Sequence, residues 1–439
     1  MKIHNYINKT SALQSYQIIR FVGMITISIA MVKLSVPKNQ IGHYEMLLFL
    51  TNLLSTFWIT GMIQALLPLY GKSPNNTGKD SILFNAFLVL VALSIISGLT
   101  AILLKNILLG IEGSNSIPFF GLVVTYLVLS APTLLIEYIY LLKDKPLHMV
   151  SYGIITHILQ IILVLAPLFY AINIEYSVYG LIAISAIRMI WLITLIIKNS
   201  TCRINIDFLK IHLKNGLPLA LKYLISSSGT YIDQLIITTN FDSSVFAIYR
   251  FGAREIPIVV FLTVGLSNSL LADFGNPETI RATLETLKNK SLRLMHLLFP
   301  LSILTILLSK PLFPYIFSPE FSESANILMI YALLITSRSI FPQTVTMGMQ
   351  HNGVALAASV IEMILNIALS LILLVPFGIE GVAMATVIVY LAEKIFLSLY
   401  NGHKLKIRLR EYTPIKTYVT YTTLTFIVYI ITRFILYSN

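Results

Sequence analysis

Charge is what this chain has least of. Of its 439 residues only 11% are Asp, Glu, Lys or Arg, while 56% are hydrophobic, and mean hydropathy is +0.81. Soluble domains carry roughly 25% charged residues, so an ordinary soluble globular fold is excluded. Cysteine is almost missing as well. Cys202 stands alone, which excludes an internal disulfide, a CxxC motif and a cysteine metal cluster. The chain also has no HExxH, no P-loop, no Gly-rich nucleotide loop and no Ser/His/Asp set. No catalytic residue, metal ligand or bound cofactor is therefore expected, and the protein is not expected to be an enzyme. Any work it does must draw on a gradient, of H+ or Na+, or on the substrate's own direction of use. The short alternating segments of a β-barrel are absent too. The polar segment before the first apolar run has no short apolar stretch with a cleavage site, so no cleaved signal peptide is expected.

What the chain has instead is apolar runs. A bilayer core needs about 20 apolar residues per helix, and thirteen segments qualify: Tyr16–Val36, Tyr44–Tyr70, Ser81–Leu104, Ile117–Leu142, Pro146–Ala171, Tyr176–Ile197, Leu217–Asn240, Ser243–Leu271, Ser291–Ser309, Ala325–Gly348, Val354–Val375, Ile379–Tyr400 and Ile415–Tyr437. The last is diluted by five threonines. Counting Lys and Arg in alternate loops gives 19 on one side and 4 on the other. That bias predicts a cytoplasmic N-terminus, and it accounts for the net charge of +12 without nucleic acid. Two loop segments, Asn276 to Leu287 and Ile204 to Leu213, have one apolar face each and read as short helices lying on the inner membrane surface.

A repeat is visible. Val178-Tyr-Gly-Leu-Ile-Ala opens span six and Ile379-Glu-Gly-Val-Ala-Met opens span twelve, 201 positions later. Ile41-Gly-His-Tyr and Val245-Phe-Ala-Ile-Tyr similarly open spans two and eight. Six spans per unit is an even number, so the units should share one orientation. The expected organisation is an N-lobe over residues 1–200, a C-lobe over 201–402, and a basic loop with an additional helix over 403–439. The expected fold class is an all-α polytopic membrane protein with about 12–13 transmembrane helices.

Charges within spans need a reason, since each costs about 2.5–3.5 kcal/mol at mid-membrane on insertion scales. Arg20, Lys222, Lys394 and Arg433 lie close enough to span ends to snorkel. Glu45 sits at an edge, Glu137 can reach Lys143 or water, and Glu393 lies near the inner surface. Arg250 and Arg254, four apart, read as one face of span eight, ahead of a kink allowed by Pro257. Asp233 is level with Arg250 across a hairpin, so the two can form a structural pair. Arg188 and Arg338 lie near the middle of spans six and ten. Glu362 and Asn366 share a face of span eleven, with Arg338 as an available partner. Ser226 to Thr230 reads as a small-residue packing surface. His157 and Gln160 read as hydrogen-bonded packing groups. The anion-binding candidates are thus Arg250 and Arg254, then Arg188, Arg338 and Arg20. The ion-coupling candidates are Asp233, Glu362 and Glu255.

Several motifs fit a known pattern. Leu213-Lys-Asn-Gly-Leu-Pro, Tyr231-Ile-Asp-Gln-Leu-Ile-Ile and Val245-Phe-Ala-Ile-Tyr-Arg resemble the "G-x-P…D-x-x-x-I…G-x-Y" stretch of Wzx-type polysaccharide repeat-unit flippases. These belong to the multidrug/oligosaccharidyl-lipid/polysaccharide exporter superfamily. Gln40-Ile-Gly-His-Tyr with Gly61, and Phe377-Gly-Ile-Glu-Gly-Val-Ala-Met-Ala-Thr, resemble two further elements of that family. The resemblance departs at Ala247 or Ile248, where the family has glycine, and at Arg250, where it has a small residue. It implies two six-helix lobes around a central cavity with alternating access (MATE-like). It further implies an undecaprenyl-pyrophosphate-linked oligosaccharide cargo, carried toward the periplasmic leaflet of a bacterial inner membrane for O-antigen or other surface polysaccharide. Polysaccharide polymerase and chain-length regulator proteins are the implied partners. Arginine binds pyrophosphate through paired, charge-assisted hydrogen bonds, which gives the buried arginines a role.

Rival readings remain. A multidrug cation antiporter of the same superfamily would use Asp233 and Glu362. A peptidoglycan-precursor flippase differs only in cargo. A polysaccharide polymerase would need a larger periplasmic loop than Lys310 to Ser324. A non-transporting scaffold would have no use for mid-span charge.

Overall fold

The computed structural model describes residues 9–71, 81–103, 120–170, 173–271, 273–275, 278 and 280–436. Among them helices dominate and no strand occurs. Lys2, Lys72, Lys79, Lys105, the Asn276-Pro277 cap and the side chains of Ser226, Ser228 and Thr230 lie outside the described set.

The chain separates into two compact units. The first comprises Met1–Leu224 with Thr238–Ala247, the second Ile225–Ile237 with Ile248–Asn439. The first is built from α1 (Lys9–Lys33), α2 (Lys38–Gly71), α3 (Ile82–Leu103), α4 (Phe120–Ser130), α5 (Leu135–Leu142), α6 (Pro146–Leu165), α7 (Ile174–Asn199) and the front of α8 (Ile206–Asn240). A 3-10 turn at Ala131–Leu134, with Pro132 near its start, joins α4 to α5. The core gathers Trp58, Met62, Leu90, Leu135, Ile139, Met149, Tyr152 and Leu192.

The second unit holds α9 (Ser243–Gly252, divided at Ile248 between the units), α10 (Pro257–Leu271), α11 (Ile280–Ile316), α12 (Ser322–Ala332), α13 (Ile335–Arg338), α14 (Pro342–Gly348), α15 (Asn352–Lys404), α16 (Leu409–Tyr412) and α17 (Ile415–Ile431). Nine helices among the described residues are long and apolar enough to cross a membrane. Pro319–Arg338 and Pro342–Gly348, bent by 42°, would make a tenth span together. α15 runs for 53 residues and carries expected spans eleven and twelve, which are divided at Gly378 by a non-helical φ of 57° and ψ of -139°. Span seven lies within α8, and span eight is broken into α9 and α10. Apolar side chains such as Ile96, Leu99, Ile361, Ile364 and Ile372 are exposed, as lipid-facing positions must be.

Two expectations fail in the same way. Neither loop segment is a separate surface helix. Residues 280–290 continue unbroken into span nine as α11, with Leu284 and Leu287 buried beside Leu266, Leu270, Phe274, Val345 and Tyr412. Residues 206–213 continue into span seven, with Phe208, Leu209 and Leu213 packed on the first unit's core. His212 fixes that extension through a 2.9 Å bond between its Nε2 and the Met62 carbonyl. Protein covers Leu284 and Leu287 of the first segment and Phe208, Leu209 and Leu213 of the second, while Ile204, Ile206 and Ile211 stay exposed.

Three helix ends share one geometry. Ser35, Asp144 and Gln350 take left-handed φ values of 59°, 56° and 64°. The following N–H bonds back to Met31, Tyr140 and Thr346 at 3.1, 2.9 and 3.0 Å. That six-to-one bond closes orphaned carbonyls at a helix end.

The repeated motif has a steric basis in each unit. A Cβ on Gly180 would stand 2.2 Å from the Leu163 carbonyl oxygen, and one on Gly381 would stand 2.1 Å from that of Leu373. In both cases a glycine lets the previous helix pass at backbone contact. Gly353, by contrast, has nothing within 4 Å of its would-be Cβ. Gly381→Ala should therefore destabilise the purified protein by about 2–4 kcal/mol, as overpacking against rigid backbone does. Gly353→Ala should leave thermal unfolding in detergent unchanged.

Candidate functional site

The most enclosed polar site lies in the second unit, around Asp233 on α8. Asp233 is 1% exposed. Its Oδ2 accepts hydrogen bonds from Tyr249 at 3.2 Å, Tyr331 at 2.8 Å and the Thr386 hydroxyl. The two tyrosine hydroxyls are 3.1 Å apart. Asn366 donates to Thr386 at 3.2 Å, and Ser370 donates to Asn366 Oδ1 at 3.0 Å. Asp233 Oδ1 is buried with no hydrogen-bond partner among the described residues. Three helices thus converge hydroxyl oxygens on a carboxylate carried by a fourth. Such a donor set suits a proton or a hard cation such as Na+, and not a transition metal. Among the described residues no group of three or more His, Cys, Asp or Glu could hold a metal ion.

The expected Asp233–Arg250 pair does not form. Levelness across the hairpin is real, but the register matches Asp233 with Tyr249 and Gln234 with Arg250. The Arg250 Nη1 donates to Gln234 Oε1 at 2.5 Å. Adjacent residues on a helix point about 100° apart, so Asp233 and Gln234 meet different neighbours.

Nor do Arg250 and Arg254 share a helical face. α9 ends at Gly252, and Ala253 to Ile256 are not helical. Pro257 starts α10, and a proline disfavours helical geometry in the residue before it. Arg254 lies in that break with its guanidinium 5.2 Å from the Phe251 ring centroid. Glu255, also in the break, meets Arg338: Nε donates to Oε2 at 3.0 Å and Nη2 to Oε1 at 2.7 Å. Arg338 also lies 5.4 Å over the Tyr390 ring. The partner of Arg338 is thus Glu255 and not Glu362. Glu362 instead faces Gly229, where a Cβ would stand 3.2 Å from its Oε1 and 2.8 Å from the Tyr390 hydroxyl. A shallow crevice of about 10 Å³ is lined by Arg254, Glu255, Ser302 and Tyr331 among others. Tyr331 therefore reaches both the crevice and Asp233.

The first unit contains a second polar interior. Arg20 on α1 is exposed, and Tyr16, Tyr126, Glu137 and Tyr138 all lie within electrostatic range of it. Glu137 is 5% exposed and faces Arg20 and Tyr16. It does not reach Lys143, which stacks 5.5 Å over Tyr70. Arg188 donates to Gln160 Oε1 at 2.9 Å and the Thr156 carbonyl at 3.3 Å. His157 is buried, with Nδ1 2.8 Å from the Gly153 carbonyl.

Three further intramembrane groups have polar partners. Glu45 is buried and accepts from Ser28 at 2.8 Å, so it is no edge residue. Lys394 meets Glu393 at 2.7 Å. Arg433 reaches Glu380 at 2.9 Å where snorkelling was expected. The tyrosines at positions 16, 249, 331 and 390, together with Thr386, escape a sequence search for charge. Their one signal is a phenol or hydroxyl in an otherwise apolar run.

No protein-family model matches the sequence, and no curated protein matches it. Solved structures do. The lipid II flippase MurJ in an inward closed conformation superposes with a TM-score of 0.69 at 17% identity, covering 96% of this chain and 98% of that one. An inward-facing multidrug resistance MATE transporter of the MOP superfamily gives 0.63 at 13%, covering 87% and 94%. A MOP superfamily transporter from Pyrococcus furiosus gives 0.57 at 13%, covering 91% and 96%. The chain therefore has the all-helical MurJ/MATE-like fold of a multi-pass membrane protein.

The Arg338–Glu255 pair generates a direct test. Arg338→Ala leaves a partly buried carboxylate without its bidentate partner and should lower stability by about 1–3 kcal/mol. Adding Glu255→Gln to that variant should recover much of the loss in thermal unfolding.

Proposed function

We propose that this protein is a flippase for isoprenoid-pyrophosphate-linked oligosaccharide, of the Wzx-type polysaccharide exporter kind. It would carry repeat units from the cytoplasmic to the periplasmic leaflet of a bacterial inner membrane by alternating access, with its N-terminus in the cytoplasm. The observation that carries this reading is Arg20, an exposed arginine of the first unit with Tyr16, Tyr126 and Tyr138 within electrostatic range. A guanidinium holds a pyrophosphate by charge-assisted, bidentate hydrogen bonds. The tyrosine rings around it offer apolar faces and hydroxyls to sugar. Arg254, lining its crevice, is the second anion contact. Arg188, Arg250 and Arg338, held by Gln160, Gln234 and Glu255, support the polar interior and do not meet the substrate first. The fold likeness to a lipid II flippase supports the cargo class. Polysaccharide polymerase and chain-length regulator proteins are the partners this role implies.

Asp233 supplies the coupling step. Its unpartnered Oδ1, beside Asn366, Ser370 and Thr386, would hold Na+ or a proton, whose arrival changes the charge of the second unit. The same cluster favours a second reading, a multidrug cation antiporter, in which a carboxylate meets the cargo.

Leaflet-resolved measurement of lipid-linked glycan in cells lacking the protein separates the two. Build-up of isoprenoid-pyrophosphate oligosaccharide on the cytoplasmic side supports the flippase. Normal surface glycan with raised sensitivity to cationic dyes supports the antiporter. Arg20→Ala should abolish complementation at normal protein level, and Arg20→Lys should restore it only in part, because an ammonium lacks the fork geometry. Coupling has its own readout. Purified protein should melt at a higher temperature in NaCl than in choline chloride, and Asp233→Asn should remove that difference. A melting temperature indifferent to Na+ leaves the proton as the coupling ion.

A further inference from the structure

Between the last two long helices of the second unit runs Lys404-Leu-Lys-Ile-Arg-Leu-Arg410. Cationic and apolar side chains alternate through it, and the fold sorts them onto opposite sides. Ile407 is buried, and Leu405 and Leu409 pack on the same cluster as Leu266, Leu284 and Leu287. Lys404, Lys406, Arg408 and Arg410 are all exposed.

The segment is held rigidly. The N–H groups of Leu405 and Ile407 both bond the Asn401 carbonyl at 3.1 Å. Asn401 is itself fully buried, its side chain tied to the Pro342 carbonyl and to Thr346 at 2.9 and 2.8 Å. Lys406 is locked at a left-handed φ of 59°. The nearest acid along the chain, Glu411, accepts the Arg408 backbone N–H at 2.7 Å, so its carboxylate is turned to the main chain. α11, which packs against α16, adds exposed Arg281, Lys290 and Arg293.

Loop cations on one side of a membrane protein follow from the positive-inside bias alone. That bias acts on the nascent chain and asks for no fixed geometry. Here the cations stand in a row on a pinned backbone. α15 ends at Lys404 and α17 begins at Ile415, so two membrane helices hold the row at the bilayer surface. We propose that this row is a binding site for the headgroups of anionic phospholipids in the adjacent leaflet. Charge complementarity and tethering at the interface favour lipid phosphate over any partner that must approach from solution.

The test uses the full-length purified protein, with native mass spectrometry of retained lipid and melting temperature as readouts. Phosphatidylglycerol is compared with phosphatidylcholine. The native chain should retain phosphatidylglycerol preferentially and melt higher in its presence, less so at high salt. A K406Q/R408Q/R410Q variant should lose the preference by about tenfold or more, since each basic residue near an anionic surface contributes about fivefold. The charge-conserving K406R/R408K/R410K variant should keep it. Removing three exposed cations elsewhere, in R203Q/K210Q/K214Q, should also keep it. Equal retention of both lipids by the native chain would overturn the proposal and leave an acidic protein segment as the occupant. Equal loss in the distant variant would overturn it too, by reducing the effect to net charge.

Discussion

Inside a bilayer an ionised side chain has only protein to answer it, because hydrocarbon supplies neither counter-charge nor hydrogen bond. Much of the second unit follows from that one demand. Glu255 reaches Arg338 because α9 stops at Gly252 and α10 does not begin until Pro257. An unbroken helix would have aimed the carboxylate elsewhere. The bend between α12 and α14 leaves Arg338 at the end of the short α13, free to offer two nitrogens to one carboxylate. Two interruptions of helix, each of which forfeits backbone hydrogen bonds, are thus compensated by one bidentate ion pair.

The two units use that demand differently. Both are assembled on the same steric device, a glycine at backbone contact with the preceding helix, at Gly180 and at Gly381. Their polar interiors then diverge. The first unit sets Arg20 and Arg188 among tyrosines and Glu137, with Glu45 buried on α2. The second wraps hydroxyls around Asp233.

Apolar run length made the spans legible, and spans eleven and twelve could be separated even though they share one helix. The reach of α8 and α11 beyond the bilayer was not legible, because an amphipathic stretch looks the same whether protein or membrane covers its face. The shared face assigned to Arg250 and Arg254 assumed a continuous helix, which Pro257 ends earlier than a kink would. Asp233 stood out as a buried acid, but its partners did not. They lie 16, 98 and 153 positions away along the chain, and hydroxyl groups carry no charge signal by which to find them. Arg20 was read from its distance to a span end. Its surroundings, four side chains from two other helices and its own, are a tertiary property.

Gly378 bears on how the chain enters the membrane. No atom lies within 4 Å of where its Cβ would be, so the requirement there is one of backbone torsion and not of space. Because the turn between the two legs of α15 is so short, the pair can insert as a single hairpin. Its tip, Val375 to Glu380, carries one charged group, Glu380. That carboxylate is later met by Arg433 and Asn326 at 3.0 Å each. The counter-charge for the tip thus comes from a segment synthesised after it.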